Sequence, residues 1–399
     1  MILYRGNTYG DEYRDELLAQ LPAVIGKTLE KSLSRETVLA AVERLLEKLA
    51  EEAAFADYFR QYRDLLSRKT LEDKLETELG ADPGSTRRRA PLGVLLHVAS
   101  GNMDVLPAYS VLEGLLTGNI NILKMPHHDE SSIYLLQQLT QIEPQLQDYI
   151  YAFDISSSDV RSLKKLEKVA DAIVVWGSDE AVTAIRKLAS ANTKIIEWGH
   201  KISFAYLSGD YYHQDSELAQ LAEHLLKVRG RLCSGCQVIY LDSEDAGEPA
   251  RFANYLAGIF ERVNEQESDP GVLAERSLRR YCSEMKKEMK SLPYVVCDGY
   301  VLIPSGDDAL EINEDGVLIR NLPRERIVEV LWPHKSHLQT AGLLCGEEDR
   351  EELIERLIRA KVTRITPVGQ MSDYFPGEAH DGQYALQRYT RIVDVPNKE

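Results

Sequence analysis

From Val94 to Trp198, short apolar runs alternate with helix-length segments, and this alternation limits the possible fold more than any other feature of the chain. Val94-Leu95-Leu96-His97-Val98-Ala99, Ile120-Asn121-Ile122-Leu123-Lys124, Tyr151-Ala152-Phe153, Asp171-Ala172-Ile173-Val174-Val175-Trp176 and Lys194-Ile195-Ile196-Glu197-Trp198 read as strands. Helices are expected from Val105 to Leu116, from Ser132 to about Ile142, and after Gly177-Ser178. Strands separated by helices predict a parallel, doubly wound sheet. Such sheets bind ligands at the carboxyl ends of their strands.

A second α/β region runs from about Ser203 to Gly369. Its strands are expected at Val238–Leu241, Tyr300–Ile303 and Leu338–Leu344, with a helix at Leu218–Val228. Residues 12 to about 80 read as a helical layer. Val38, Leu39, Val42, Leu45, Leu46 and Leu49 recur there at helical spacing behind Ser34, a plausible N-cap. The tail from Tyr384 to Val393 has strand character.

The 399 residues suggest roughly two or three domains at ~150 residues each. A net charge of −17 argues against a nucleic-acid binder, whose affinity rests on Lys and Arg against phosphate. Five cysteines without framework spacing fit a reducing cytoplasm. No apolar run approaches the ~20 residues of a membrane span, and no signal peptide is read at the N-terminus.

The chemistry concentrates at Gly230-Arg231-Leu232-Cys233-Ser234-Gly235-Cys236-Gln237, just before a strand. Small neighbours leave room for a substrate carbonyl, and a turn offers backbone N–H groups to an oxyanion. The C-x-x-C pair also admits half a zinc site, a redox pair, or two packed thiols. Asn102, in the turn Ser100-Gly101-Asn102, is either an oxyanion donor or a turn former. Lys124 ends a strand, where its ammonium is placed for a cofactor ribose or phosphate or simply for water. Gly177-Ser178 opens a helix and is a weak phosphate signal. Glu197 is a candidate general base, with a surface carboxylate as the plain alternative. Arg87-Arg88-Arg89 suits phosphates or a salt-bridged face.

Taken in order, these pieces resemble the aldehyde dehydrogenase superfamily, and within it the LuxC-type acyl-CoA reductases, over about Pro91 to Arg391. The likeness rests on Leu95 to Asn102, Gly118-Asn119-Ile120-Asn121-Ile122-Leu123-Lys124, Trp176-Gly177-Ser178, Glu197-Trp198-Gly199-His200-Lys201 and Gly230-Arg231-Leu232-Cys233. His337-Leu338-Gln339-Thr340-Ala341-Gly342, Arg364-Ile365-Thr366-Pro367-Val368-Gly369 and His380-Asp381-Gly382 extend it. Two departures stand out. Cys236 occupies the family's proline position. His127, three residues after Lys124, replaces the Glu of many NAD-preferring members.

The resemblance implies an aldehyde dehydrogenase-like fold of two doubly wound α/β domains with a helical N-terminal layer and a small oligomerisation element. Residues 1–202 would bind the nicotinamide cofactor, 203–370 would carry the nucleophile, and 371–399 would form the oligomerisation tail, with the active-site cleft between the first two. It implies Cys233, Asn102 and Glu197 as catalytic residues and Lys124, Gly177, Ser178 and Ser100 as cofactor contacts, with no metal. The implied reaction reduces an acyl-CoA, expected to be fatty, to an aldehyde through a thioacyl-enzyme. NADPH is the expected cofactor and NADH the alternative. Implied partners are an acyl-protein synthetase and further copies of the chain, in the cytoplasm. The alternatives are an aldehyde dehydrogenase running in the oxidative direction, a zinc-dependent C-x-x-C interaction protein, and a catalytically dead scaffold.

Overall fold

The computed structural model describes residues 1–52, 63–80, 86–99, 105–125, 129–228, 232–264, 270–297, 299–375 and 377–396. The chain divides into two units, Met1–Gly199 with Tyr374–Glu399 and His200–Asp373. Strands of the first are β1 (Ile2–Tyr4), β2 (Asn7–Tyr9), β3 (Arg87–Pro91), β4 (Val94–Val98), β5 (Ile120–Lys124), β6 (Ile150–Phe153), β7 (Ala172–Trp176) and β8 (Lys194–Trp198). Its helices are α1 (Arg14–Thr28), α2 (Arg35–Glu51), α3 (Arg68–Leu79), α4 (Leu106–Leu116), α5 (Glu130–Ile142), α6 (Val160–Glu167) and α7 (Asp179–Leu188).

The main sheet has the order β2-β1-β6-β5-β4-β7-β8, parallel from β6 through β8. The chain leaves β4 towards β5 and β6 on one side, then returns to β7 and β8 on the other. The order therefore reverses beside β4, which is where a doubly wound sheet opens a ligand crevice at its carboxyl edge. The helical layer is as expected from the sequence. Ser34 caps α2 by accepting from the Thr37 N–H at 3.0 Å, and Leu17, Leu21, Val38 and Leu45 share one core with Ile122 and Leu136. Two short strands precede that layer, β1 and β2. Arg5 and Gly6 both take positive φ between them, the geometry of a two-residue hairpin turn. Three-residue strands are too short for periodicity to reveal.

The second unit contains β9 (Ile202–Leu207), α8 (Asp215–Val228), β10 (Cys236–Leu241), α9 (Glu248–Asn264), α10 (Pro270–Lys290), β11 (Val295–Cys297), β12 (Tyr300–Pro304), β13 (Val317–Asn321), α11 (Ile327–Leu331), β14 (Leu338–Leu344), α12 (Glu347–Arg359) and β15 (Arg364–Pro367). Its sheet order is β11-β12-β13-β10-β9-β14-β15, with only β11 antiparallel. The central strands β9 and β13 add to those read from sequence.

The tail differs from the continuous strand expected there. Residues Ala385–Arg388 form a short helix, α13, and β16 begins at Thr390 and ends at Asp394. The cause is a buried anchor: Leu386 and Tyr389 pack inside, and the Leu386 N–H donates to the Glu78 carboxylate at 2.7 Å. Lys74 is ion-paired to both Glu78 and Glu113, all three buried. Burial alone would push the Lys74 ammonium down, but the two carboxylates reverse this and raise it. β16 then pairs antiparallel with β3, where Arg87 meets Asp394 at 3.1 Å and Arg89 donates to the Leu79 carbonyl at 2.9 Å. The arginine run is thus a salt-bridged strand. Tail residues from Tyr374 onward belong to the first unit.

Inside that unit a neutral polar chain crosses the sheet. The Trp176 indole N–H donates to Ser110 Oγ at 3.1 Å, and Ser110 Oγ lies 2.7 Å from His97 Nδ1. His97 Nε2 lies 3.0 Å from Asn121 Oδ1, and Asn121 Nδ2 donates to the Asn119 carbonyl at 2.8 Å. With the His97 proton on Nε2, every contact has one donor and one acceptor. Burial pushes the His97 imidazole down to about 4, and His224, buried in the second unit, likewise.

A histidine whose folded value lies below its ordinary ~6.5 binds its proton more readily unfolded, so its contribution is full above ~6.5 and is lost as pH falls towards 4. Unfolding free energy from urea titration should therefore drop by about 2 kcal/mol per such histidine between pH 7.5 and pH 5. His97→Gln should flatten part of that slope. An unchanged slope in the variant would contradict the buried neutral assignment.

Candidate functional site

Two sets of residues form candidate sites, one in each unit. In the first, Lys124 ends β5, the stretch after Val98 ends β4, and Gly177-Ser178 follows β7. These are three adjacent strands in the order β5-β4-β7, with Lys124 in register with Val98 and Val98 with Val175. Parallel pairing thus gathers Lys124, Gly177 and Ser178 at the carboxyl edge beside the order reversal. Lys124 is buried, and its Nζ donates to Ser157 Oγ at 3.2 Å. Burial pushes the ammonium down while the Asp154 charge pulls it back up. Ser178 caps α7 by accepting from the Ala181 N–H at 3.4 Å. A Cβ on Gly177 would lie 3.1 Å from the Ala181 Cβ, so close approach of the backbone there depends on glycine. Ser100, Asn102 and His127 lie outside the described residues.

Glu197 is ion-paired rather than an unpaired surface carboxylate. Arg186 on α7 grips it with both nitrogens, Nε to Oε1 at 2.5 Å and Nη2 to Oε2 at 2.6 Å. Bidentate pairs of this kind fix geometry as well as charge. Beside it Trp198 stacks on Trp176 with ring centroids 5.2 Å apart, and His380 sits 5.1 Å from both rings. The Arg388 guanidinium lies over the Trp198 ring at 4.7 Å. His380 of the tail therefore packs against aromatic rings. The sequence held no positional signal for this cluster, because its members are far apart along the chain.

In the second unit Cys233 lies in the turn from Leu232 to Gly235, just before β10. The Gly235 N–H donates to the Leu232 carbonyl at 2.9 Å. Cys233 is exposed and Cys236 is buried, both as free thiols. Cys236 packs in the apolar core and donates its S–H to the Val238 carbonyl at 3.3 Å. Burial pushes its thiol up to about 12. Thiolate is the form that attacks disulfides and binds metals, so this environment suits a packing residue.

The turn is fixed from behind. Ser203 Oγ, fully buried on β9, donates to the Cys233 carbonyl at 2.7 Å and accepts from the Thr340 N–H on β14 at 3.0 Å. Ser234 Oγ and Ser372 Oγ share a hydrogen bond at 2.8 Å. The Gln339 Nε2–H donates to Cys233 Sγ at 3.4 Å. Both neighbours of β9 slip in register here, β10 between Cys236 and Val238 and β14 between Leu338 and Ala341. Such bulges turn side chains out of the regular alternation and are frequent next to active sites. Cys233 sits at the amino edge of its sheet, just before β10, as its place ahead of the Val238–Leu241 run led one to expect. Ser203 and Gln339 escaped the sequence reading as functional residues. Their signal was a polar side chain within a mostly apolar strand-like run.

The sequence profile of the acyl-CoA reductase (LuxC) family matches residues 22–392. Long-chain acyl-protein thioester reductase of Vibrio harveyi is 23% identical over 356 residues, covering 82% of this chain and 71% of the relative. That of Aliivibrio fischeri is 22% identical over 319 residues, covering 76% of this chain and 64% of the relative. Among solved structures, a mutant of aldehyde dehydrogenase C of Pseudomonas syringae, complexed with NAD+ and octanal, superposes with a TM-score of 0.68 at 12% identity, covering 96% of this chain and 88% of that one. Succinic semialdehyde dehydrogenase of Streptococcus pyogenes, in complex with NADP+, gives 0.68 at 14% identity over 98% and 97%. At such identities these structures show a shared aldehyde dehydrogenase-like fold.

Ser203→Ala tests the clamp. It leaves the part-buried Cys233 carbonyl and the buried Thr340 N–H without their shared partner, which typically costs about 1–3 kcal/mol. Urea unfolding should show that loss, and hydrogen exchange should quicken at Thr340 first. Unchanged stability together with unchanged exchange would contradict the clamp.

Proposed function

The chain belongs to the acyl-CoA reductase (LuxC) family, and we propose that it reduces a fatty acyl thioester to an aldehyde with Cys233 as the nucleophile. The observation that carries this reading is the exposed Cys233 thiol, held on a turn clamped by Ser203 and touched by the Gln339 amide. The Cys233 thiolate attacks the thioester carbonyl, a new C–S bond forms, and the bond to the donor sulfur breaks. The departing thiolate, of coenzyme A or of an acylated protein, takes up a proton. A nicotinamide cofactor, which Lys124, Gly177 and Ser178 would hold, would supply the hydride for the thioacyl carbonyl. The alkoxide so formed re-forms its C=O bond as the C–S bond breaks, and aldehyde departs from a regenerated Cys233 thiolate. Asn102 and the Cys233 N–H are assigned to the carbonyl oxygen at the charged stages.

Lys124, Gly177 and Ser178, with Ser100, are assigned to the cofactor. A buried ammonium and a helix start at the order reversal of a doubly wound sheet suit ribose and phosphate oxygens. NADPH is favoured over NADH because the sequence has His127, three residues after Lys124, in place of the Glu of many NAD-preferring family members, a carboxylate that would repel a ribose 2′-phosphate. Acyl-CoA is the assigned donor; the relatives' names support an acyl-protein thioester as the other, and an acyl-protein synthetase is the assigned partner. Homo-oligomerisation through the β3–β16 ribbon and a cytoplasmic setting complete the proposal. Among the described residues no helix is long and apolar enough to cross a membrane.

The runner-up, oxidation of an aldehyde to a free acid, needs a base to activate water. The bidentate hold of Arg186 on Glu197 weighs against it. The thioester route needs no activated water.

Initial rates of NADPH and NADH consumption with saturated acyl-CoAs of increasing length should show reduction, with aldehyde as product. Cys233→Ala should lower the rate on the order of a thousandfold or more. Lys124→Met should raise the cofactor KM by roughly tenfold, as expected for loss of one charged hydrogen bond, with little effect on acyl transfer. A Cys233→Ala enzyme within about tenfold of the parent would exclude the cysteine mechanism.

A further inference from the structure

We propose that Gln339 is a catalytic residue whose side-chain amide stabilises the Cys233 thiolate. This rests on the reading of Cys233 as nucleophile. Gln339 is the second residue of β14, and its side chain is 5% exposed in a strand otherwise filled by the core. A carboxamide buried without partners is costly, so its donors must be used. One of them is directed at the exposed sulfur at 3.4 Å. The register slip between Leu338 and Ala341 frees the position from regular alternation, and the neighbouring Thr340 N–H is held by Ser203.

A neutral thiol is a weak acceptor, whereas a thiolate is a strong one, and hydrogen bonds to charged groups are roughly twice as strong as neutral ones. The Gln339 contact therefore favours the thiolate over the thiol and lowers the thiol's pKa. The amide neither gives up nor gains a proton. Its hydrogen bond weakens when sulfur charge moves into the thioester and returns when the thiohemiacetal C–S bond breaks. Gln339 thus assists twice, in poising the attacking sulfur and in its departure from the aldehyde. A purely structural glutamine would change stability without moving the titration of the sulfur.

The test follows alkylation of Cys233 by iodoacetamide as a function of pH, read on its own peptide by mass spectrometry. Full-length parent, Gln339→Met and Gln339→Glu are compared, with thermal melts to confirm folding and Gln339→Asn in reserve should either fail. Met removes the donor at similar volume, and Glu replaces it with negative charge. Both should move the midpoint to higher pH, Glu further, and slow alkylation at pH 7 by about tenfold, with rates converging on the alkaline plateau. Midpoints equal to the parent's would overturn the role of Gln339. A separate control distinguishes the two layers: acyl-CoA should protect Cys233 of the parent from alkylation. Protection with unmoved midpoints refutes only the glutamine. Absence of protection refutes the nucleophile and the inference with it.

Discussion

Each parallel strand of this protein must be left at its carboxyl end and the next entered at the opposite edge, because no tight turn joins parallel neighbours. The first unit is organised by that constraint. Helices α4, α5, α6 and α7 carry the chain back across the sheet, and the winding reverses direction beside β4. Lys124 and the Gly177-Ser178 turn, 53 residues apart from Lys124 to Gly177, reach one edge because each ends or follows a strand of that set. The buried chain from Trp176 through Ser110 and His97 to Asn121 then ties β7, α4, β4 and β5 together beneath it. Hydrogen-bonded polar groups of this kind specify one arrangement where apolar contacts alone tolerate several.

The second unit obeys the same winding rule but places its chemistry differently. Cys233 precedes β10, at the amino edge. There the regular ladder breaks on both sides of β9, and side chains replace it. Ser203 satisfies one carbonyl and one N–H that the broken ladder leaves over, and Gln339 reaches the sulfur. A cysteine held this way is fixed by backbone contacts behind it while its sulfur remains exposed. Three residues further on, Cys236 has the opposite environment, and the two members of the C-x-x-C pair separate into an exposed position and a packed one.

Much of this was legible in the residues. Parallel strands between helices follow from short, mostly apolar runs at Val94, Ile120, Asp171 and Lys194 that alternate with helix-length segments. The positions of Lys124 and Gly177 followed from their places next to those runs, and that of Cys233 from its place before the Val238–Leu241 run. What was not legible depended on long-range contacts. The helix at Ala385–Arg388 is selected by burial of Leu386 against Glu78, 308 residues away. The pairing of Glu197 with Arg186 requires β8 and α7 to be packed, and the bulges around β9 exist only once three strands are in place. Local pattern reports periodicity, and these features are properties of register.

The central claim is that the Cys233 sulfur takes the acyl group. Intact-mass and peptide mass spectrometry after incubation with an acyl-CoA, in the absence of nicotinamide cofactor, tests it directly. The expected result is one acyl group per chain, carried by the peptide containing Cys233, and released as aldehyde when NADPH is then added. An acyl group found on another residue, or formed equally by Cys233→Ala, would contradict it.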